Sequence, residues 1–388
     1  MRSVRWLHAV HRWCGLISGL NILLLSITGA YLVFAENIEA VFDPPKGEVI
    51  AQVPDTANTP LQEAFDRLAK HHPGAIPMGL RPAEGGKAAY TVALLERPAT
   101  VHRYAFDSTS GEVRAEVESK AAAIHEFVLH LHTDLFLGTL GGVFIGMMAV
   151  IFLASNLTGI VIYTPFMKGV LYGTLRLKRG ARRTSADFHK LAGVSALAFN
   201  LLMAVTGIFL TFGLLGARMW AAAEVQARTA DDTSRSGIAT SGAPRVPVDE
   251  ILRAASAIHP DAPVSSVVFP GGFQGPQHFF CFHERQGKLE KFLPVYSLVP
   301  AGNPGGAESI DVPPWIDAAM FCVPVHFGNY GGLFLKAVYC VLGIGTGLLT
   351  ISGAILTMAR WRGKIRARLA RARRTIPVRS ITLANEEG

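Results

Sequence analysis

Four long apolar stretches interrupt the polar pattern of this 388-residue chain. A helix of about 20 apolar residues crosses the hydrocarbon core of a bilayer, and each stretch reaches that length. The pattern therefore predicts four transmembrane helices and two large segments outside the membrane. The apolar stretches cover residues 15–34, 135–164, 191–215 and 331–358.

Composition supports the same class of protein. Half of the residues are hydrophobic, only 17% are charged, and the mean hydropathy is +0.31. A soluble domain usually carries about 25% charged residues. Four cysteines without a C-x-x-C motif exclude a disulfide-dense scaffold, a zinc ribbon and covalently attached c-type haem. Any redox or metal chemistry must therefore use other ligands.

The uneven distribution of basic residues orients the chain. Nineteen of the 37 lysines and arginines lie before the first span, between the second and third, and after the fourth, with only three acidic residues among them. The positive-inside rule places these segments and both termini in the cytoplasm. The Arg-rich tail is then expected to contact anionic lipid rather than nucleic acid. The predicted order is cytoplasmic N-terminus and first span (1–34), first periplasmic domain (35–130), second span (131–164), basic loop (165–190), third span (191–215), second periplasmic domain (216–325), fourth span (326–359) and basic tail (360–388).

The sequence is a tandem repeat. A shift of 178 residues superimposes the first span on the third, with His11 over His189. A shift of 194 residues superimposes the second span on the fourth, with His132 over His326. The repeating unit is a helix, an outer segment and a second helix. Both copies therefore enter the membrane in the same orientation, and an axis along the membrane normal relates them.

Four of the thirteen histidines recur at matched positions beside the spans. His11 and His189 lie at the cytoplasmic start of the first and third spans, and His132 and His326 lie at the outer start of the second and fourth. Taken singly, each is an ordinary interfacial residue. Matched residues face one another across the axis of a four-helix bundle, and two facing histidines supply the axial ligands of a b-type haem. The pairing predicts two haem b groups, one for each pair.

Other features beside the spans allow more than one interpretation. Glycines recur every four residues from 138 to 146, a spacing that either makes room for haem or serves close helix packing. His125 and His130 resemble the ends of an H-E-x-x-H motif but are one residue too far apart to share a helix face, which argues against a metalloprotease. His8 with His11, or His125 with His132, can share a face and bind a transition metal, as in a metal transporter.

The two outer segments are each predicted to form a small α+β domain. A stretch rich in Thr, Ser, Asp and Gly, 229–244, predicts a flexible joint after the third span. Cys281 and Cys322 lie in the second segment, either as a disulfide or as two buried thiols. Amphipathic patterns predict helices over 60–72 and 248–259, and alternating patterns predict strands over 88–95, 101–107, 264–269 and 278–284.

Motifs around the spans resemble those of a known family. The motifs are Leu7-His8-x-x-His11-Arg12-Trp13-x-Gly15 with Thr28-Gly29, Leu131-His132-x-x-Leu135 followed by Gly138, His189-x-x-x-Gly193 with Thr206-Gly207, and Phe106-Asp107-x-x-x-Gly111. On these motifs the chain is similar to PepSY-associated transmembrane proteins and, among them, to bacterial inner-membrane ferric-siderophore reductases of the ferrioxamine type. The resemblance implies a four-helix transmembrane core with PepSY-like periplasmic domains. It also implies b-type haem held by His11, His189, His132 and His326, and reduction of ferric siderophore in the periplasm.

The predicted activity is therefore that of a haem-containing electron carrier that reduces a ferric chelate. Electrons would enter near His11 and His189 from quinol or a cytoplasmic reductant. This donor must be a separate molecule, because no cytoplasmic segment is long enough for a nicotinamide or flavin domain. Reduction labilises the complex, because hydroxamate and catecholate oxygens prefer Fe(III) to Fe(II). Trp315, Tyr330 and His102 are the candidate residues of the outer site.

Two other classes of function are consistent with the same sequence. The first is a siderophore or metal permease without redox chemistry, which would carry no haem. The second is a non-enzymatic module that inhibits or tethers a peptidase, with the spans serving only as anchors. Substitution of the four paired histidines would leave the activity of such a module intact.

Overall fold

The fold has two compact units, and each is built from both sequence copies. The first unit comprises Met1–Ala30, Met147–Val205 and Ala337–Gly388, and the second comprises Tyr31–Gly146 and Thr206–Lys336. The computed structural model describes residues 2–42, 49–52, 61–71, 76–82, 89–96, 100–107, 112–115, 120–163, 173–176, 180–236, 247–269, 278–287, 292–300 and 302–375.

Helices and strands follow one another in a mixed order along the chain. The helices are α1 (Arg2–Leu32), α2 (Ala35–Phe42), α3 (Leu61–His71), α4 (Lys120–Thr133), α5 (Gly138–Tyr163), α6 (Ala181–Ser195), α7 (Leu197–Ile208), α8 (Leu214–Ser236), α9 (Val248–Ile258), α10 (Pro314–Phe327) and α11 (Gly332–Thr375). The strands are β1 (Val49–Gln52), β2 (Ile76–Pro82), β3 (Ala89–Glu96), β4 (Thr100–Asp107), β5 (Glu112–Ala115), β6 (Val264–Val268), β7 (His278–His283), β8 (Val295–Pro300) and β9 (Glu308–Ile310).

Four helical segments in the described part of the chain are long and apolar enough to cross a membrane, which confirms the predicted number of spans. The first, second and fourth spans lie in α1, α5 and α11, and no proline interrupts these helices. Their apolar residues are spread around the helix, as expected where lipid and other spans surround it. The four segments are Arg5–Leu32, Gly138–Tyr163, Leu197–Arg228 and Gly332–Arg371.

The third span is assembled from several helical pieces. It runs from α7 through a π-helical turn, Phe209–Gly213, into α8. The predicted flexible joint over 229–244 is wrong for its first half, because α8 continues to Ser236. The remaining part, 237–244, lies outside the described residues.

Parts of all four spans pack together in the first unit around buried polar side chains. Ile22, Phe152 and Ala204 form a small apolar cluster between α1, α5 and α7. Asn200 on α7 accepts a hydrogen bond from the hydroxyl of Thr346 on α11 at 2.5 Å. Polar residues inside membrane segments are costly and usually have a role. Those buried in this unit include Ser18, Asn21, Ser26, Thr28, Ser155, Asn156, Asn200, Thr346, Ser352 and Thr357.

The described strands of both outer segments form one nine-stranded antiparallel sheet in the second unit. Its order is β1-β5-β4-β3-β2-β6-β7-β8-β9. The two segments meet where β2 pairs with β6, with Gly79 opposite Val268 and Leu80 opposite Val267. An exposed edge strand presents unpaired N–H and C=O groups that pair readily with another edge. The sequence predicts two separate α+β domains, whereas the structure joins their strands into one layer.

Most predicted elements of the outer segments lie within one residue of their expected bounds. This holds for helices α3 and α9 and for strands β3, β4, β6 and β7. The other strands were not predicted. β1, β5 and β9 have only three or four residues, and β2 and β8 contain proline, so none shows a clear alternating pattern.

Helices α3 and α9 supply the apolar residues that cover the sheet. Leu61, Phe65 and Leu68 of α3 and Ile251 of α9 belong to the same buried core as the strand residues Val92 and Phe106. The two helix starts also cap each other. The carboxylate of Asp249 accepts hydrogen bonds from the backbone N–H groups of Leu61 and Gln62, both at 3.0 Å. In return, the amide oxygen of Gln62 accepts the N–H of Val248 at 2.9 Å.

Two short helices, α4 and α10, end immediately before the second and fourth spans. The chain breaks after α4 at Leu135 and Phe136, which have positive φ angles of 53° and 60°. Asp134 stabilises this turn, because its carboxylate accepts the N–H of Phe136 at 2.8 Å. The break after α10 instead uses Gly328, with φ 66°, an angle that glycine adopts without steric cost. Each break leaves a histidine near the end of its short helix, namely His132 on α4 and His326 on α10.

Candidate functional site

The structure brings His11 and His189 together in the first unit. His11 lies on α1 and His189 on α6, and their ring centroids are 6.2 Å apart with an interplanar angle of 77°. The two residues occupy the same position in the two sequence copies. The pairing of His11 with His189 that the repeat predicts is therefore present in the structure.

Main-chain carbonyl groups of neighbouring helices orient both rings of this pair. His11 Nδ1 lies 2.9 Å from the carbonyl oxygen of Ser155, and His189 Nδ1 lies 3.1 Å from that of Leu349. A carbonyl oxygen only accepts hydrogen bonds, so Nδ1 carries the proton in each ring. Nε2 of each ring makes no hydrogen bond with any residue that the structure describes. A histidine whose Nδ1 donates in this way presents Nε2 as a metal ligand.

Two glycines give these rings their space. Gly159 on α5 and Gly353 on α11 are matched by the 194-residue shift. A Cβ at Gly159 would lie 3.3 Å from Cε1 of His11, and a Cβ at Gly353 would lie 3.1 Å from Cε1 of His189. Both distances are shorter than ordinary van der Waals contact. Larger side chains at these positions would therefore displace the imidazoles.

The structure also brings His132 and His326 together, in the second unit. Their ring centroids are 6.5 Å apart, with an interplanar angle of 65°. Nδ1 of His326 lies 2.7 Å from the hydroxyl oxygen of Thr206 on α7. Burial lowers the pKa of His132 to about 3 and that of His326 to about 4. Both imidazoles are therefore neutral near pH 7, which is the form that binds a metal.

The separation within each pair suits one metal ion between the two rings. Two imidazole nitrogens at about 2.0 Å from one ion hold the ring centroids about 6 Å apart. The described residues contain no group of three or more His, Cys, Asp or Glu side chains that could hold a metal ion by themselves. Two facing imidazoles are a ligand set that fits a haem iron.

Several buried polar atoms near the spans of the first unit lack a hydrogen-bond partner among the described residues. They are the side-chain oxygen of Asn21, the side-chain nitrogen of Asn200 and Nε of Arg12. Asn156 instead donates to the carbonyl of Phe152 in its own helix. Buried polar groups are normally paired. The unpaired atoms suggest that a further polar molecule completes this interior.

The glycines that recur along the spans fall into two groups, according to the space around them. A Cβ at Gly146 would lie within 3 Å of side-chain atoms of Thr211 and Phe212, and one at Gly347 would contact Leu23 and Ser26. These two glycines serve helix packing. At Gly138 and Gly345 a Cβ would meet nothing within 4 Å. The spacing therefore serves close packing at some steps and leaves open space at others.

Two of the three candidate outer-site residues lie near the two ends of α10. Trp315 is at its start, 41% exposed, and its ring covers Gly216. Tyr330 follows its end, 44% exposed, with its ring 5.8 Å from that of Phe292. The third candidate, His102, is a residue of β4 opposite Leu94 on β3. Its side chain lies outside what the structure describes.

The remaining candidates of the sequence analysis have ordinary surroundings. Nδ1 of His130 pairs with the carboxylate of Asp134 at 3.1 Å. Cys281 and Cys322 are buried free thiols and do not form a disulfide. Lys336 of α11 is buried and donates to the side-chain oxygen of Asn37 at 2.9 Å.

Sequence reasoning missed the residues that support the paired histidines. Thr206 was noted only as part of a Thr-Gly motif, with no role assigned to it. The repeat carried a usable signal, because Gly159 and Gly353 align under the same shift as His132 and His326. Phe292 and Phe321, whose rings lie 6.1 Å apart, gave no sequence signal.

Comparison with known families assigns the chain to one of them. The sequence model of the family described as PepSY-associated TM region matches residues 8–360. The match covers most of the chain, which therefore belongs to this family, as its motifs predicted. Together with the four apolar helices, this membership makes the chain a multi-pass membrane protein. No curated protein matches it significantly.

Proposed function

We propose that this protein is a haem-b-containing inner-membrane reductase that passes electrons across the membrane to a ferric siderophore in the periplasm. In this proposal both termini are cytoplasmic and the nine-stranded sheet is periplasmic, in the manner of PepSY-like domains. Two haem b groups are bound, and a separate donor, quinol or a cytoplasmic reductant, supplies the electrons. The products are Fe(II) for uptake and the released siderophore.

One observation carries the proposal, namely that both repeat-matched histidine pairs converge. The centroid separations of 6.2 Å and 6.5 Å both suit a single metal ion between two rings. Histidines that served only as interfacial anchors would have no reason to meet their repeat partners. The convergence of two independent pairs favours a shared role over chance contact.

The chain's own residues fit a b-type haem at each pair. His11 and His189 would hold one group and His132 and His326 the other, each through Nε2. A bound haem iron supplies reversible one-electron chemistry. The protein contributes neutral imidazoles with defined orientation, and the unpaired Nε of Arg12 lies one residue from His11. An arginine there suits a carboxylate such as a haem propionate.

Aromatic side chains beside the second pair suggest where the ferric substrate approaches. Phe292, Phe321 and Tyr330 form a cluster of rings, and Tyr330 follows His326 by four residues. Aromatic rings with a polar tip suit the contact with a chelate that has both apolar and polar surface. Trp315, Tyr330 and His102 remain the candidate contact residues.

Lipid contact at the cytoplasmic side is supported by charge and by aromatic residues. The basic loop and the basic tail match anionic headgroups. Trp13 and Trp361, both exposed, lie with ring centroids 6.2 Å apart in the first unit. Tryptophan is enriched at the level of the headgroups, so this pair suits an interfacial position.

A haem count tests the cofactor proposal. The full chain is purified in detergent from haem-replete cells, and haem b per chain is measured before and after reduction with dithionite. We expect about two haems per chain in the wild type and one in His189→Ala or in His326→Ala. The exposed His71 on α3 gives the matched control, His71→Ala, which should keep both. A colourless wild type would overturn the proposal.

A reduction assay separates the reductase from the two alternative functions. The reduced protein is mixed with ferrioxamine, and its reoxidation is followed together with trapping of Fe(II) by a ferrous chelator. We expect Fe(II) to form with the wild type and not with His326→Ala. Transport of intact ferric siderophore into vesicles without reductant would support a permease instead. Full biological activity in all four histidine variants would support the peptidase-binding module.

A further inference from the structure

The two histidine pairs differ in what orients their rings. In the first pair, both Nδ1 atoms meet main-chain carbonyl oxygens, those of Ser155 and Leu349. Nδ1 of His189 also lies 2.9 Å from the hydroxyl of Ser352, in addition to the carbonyl of Leu349. In the second pair, the partner of His326 Nδ1 is the side-chain hydroxyl of Thr206, at 2.7 Å. The orientation of the His326 ring therefore involves an exchangeable side chain.

Thr206 is held in place by the packing around it. It is 3% exposed and lies three residues before the π-helical turn Phe209–Gly213. At the last residue of that turn, a Cβ at Gly213 would lie 2.8 Å from the Cβ of Ala319, and beyond the turn a Cβ at Gly216 would lie 3.1 Å from the ring of Trp315. The third span therefore follows α10 closely from Trp315 to His326. π-Helical turns often occur at functional positions.

We infer that Thr206 is a positioning residue for the second haem, with its hydroxyl accepting the Nδ1 proton of His326 and directing Nε2 to the iron. This inference rests on the proposed function. A partner at Nδ1 fixes the ring and raises the basicity of the ligand, and its loss typically costs 10–100-fold in metal affinity. In the first pair each Nδ1 also has a main-chain carbonyl, which no side-chain substitution removes.

Isosteric and conservative variants of Thr206 test this inference. Thr206→Val keeps the shape and removes the hydroxyl, whereas Thr206→Ser keeps the hydroxyl. The readouts are transfer of haem to excess apomyoglobin and the midpoint potential of each haem. In Thr206→Val we expect one of the two haems to dissociate about 10-fold faster or more. Its midpoint potential should rise, because the ligand becomes a weaker electron donor. Thr206→Ser should restore both values to within about threefold of the wild type rate and to the wild type potential.

A matched substitution on α11 completes the test. Thr350 donates to the carbonyl of Gly347 in its own helix, at 2.7 Å, and Thr350→Val should change neither haem. If Thr206→Val does not accumulate, Thr206→Ala carries the same expectation.

The outcomes separate the inference from the proposed function. A wild type without haem would overturn the proposed function. A wild type with two haems, together with unchanged dissociation and potential in Thr206→Val, would overturn only the role of Thr206. Equal effects of Thr206→Val and Thr206→Ser would also overturn it, because shape and not the hydroxyl would then matter. A change in both haems would contradict the restriction to the second pair.

Discussion

The His11–His189 pair and the His132–His326 pair have similar ring separations but very different supports. His11 lies inside a helix of 31 residues, and the backbones of α5 and α11 orient both rings of its pair. His132 and His326 stand near the ends of short helices, each followed by a break with positive φ angles. Each Nδ1 of the first pair has a main-chain carbonyl partner, whereas Nδ1 of His326 in the second pair has a side-chain hydroxyl.

This difference indicates which substitutions each pair tolerates. A pair held by carbonyl groups is disturbed mainly by bulk placed against its rings. A pair at helix ends is disturbed by a substitution that changes the turn after the helix or removes the hydroxyl group that contacts the histidine. Distinct substitutions should therefore remove one haem and spare the other.

Bulk at Gly353 should have the largest effect. Because a Cβ there would already lie 3.1 Å from Cε1 of His189, Gly353→Leu should displace this ring and lower the haem count from about two to one per chain. The matched control is Gly363→Leu on the same helix, where a Cβ would meet nothing within 4 Å. Retention of both haems in Gly353→Leu would contradict the close approach of Gly353 to the His189 ring.

Acid should destabilise the surroundings of the second pair in the haem-free protein. Burial lowers the pKa of His132 to about 3 and of His326 to about 4, whereas both titrate near 6.5 in the unfolded chain. The unfolded state therefore gains protons first as the pH falls. The stability contribution is complete above about pH 6.5 and is lost as the pH falls toward the folded-state pKa values, about 2 kcal/mol per histidine by pH 5.

Thermal unfolding of the haem-free protein in detergent at pH 7 and pH 5 measures this effect. His326→Asn should reduce the pH dependence, since the titration of His326 is removed. His71→Asn, at an exposed position of α3, should leave it unchanged. An identical pH dependence in the wild type and His326→Asn would contradict the buried neutral state of His326.

Removal of the Asp134 carboxylate should weaken the break after α4. This side chain accepts the N–H of Phe136, next to two non-glycine residues with positive φ. Asp134→Ala should cost about 1–2 kcal/mol of unfolding free energy, as for the loss of a helix-capping carboxylate. Chemical denaturation measures this loss of unfolding free energy. The control is Asp66→Ala on α3, because a surface i,i+4 contact such as that of Asp66 contributes less than about 0.5 kcal/mol.

Two glycine substitutions should have the smallest effects, with opposite signs. Gly328 has φ 66°, so Gly328→Ala should destabilise the protein by about 1 kcal/mol. Gly363 lies within α11, where alanine is the better helix former, so Gly363→Ala should stabilise it by up to about 1 kcal/mol. Midpoints of thermal unfolding compare the two. The same sign for both variants would contradict the left-handed conformation assigned to Gly328.

Much of the architecture could be predicted because it depends on local patterns and on the repeat. Apolar length alone predicted the four spans, and alternation predicted β3, β4, β6 and β7 almost to the residue. The repeat selected four of thirteen histidines, and the structure brings them together in the two expected pairs. Strands interrupted by proline, or of only a few residues, carried no such pattern and were missed.

The sequence by itself determined the membrane class, the duplication and the choice of paired histidines, because hydropathy and self-similarity are properties of residue order. Only the tertiary structure decided that β2 pairs with β6, that Thr206 meets His326, and that Gly353 faces His189. These contacts join residues far apart in the chain, and their partners are chosen by packing and by hydrogen bonds to main-chain atoms. No side-chain pattern in the sequence records where a backbone carbonyl will point.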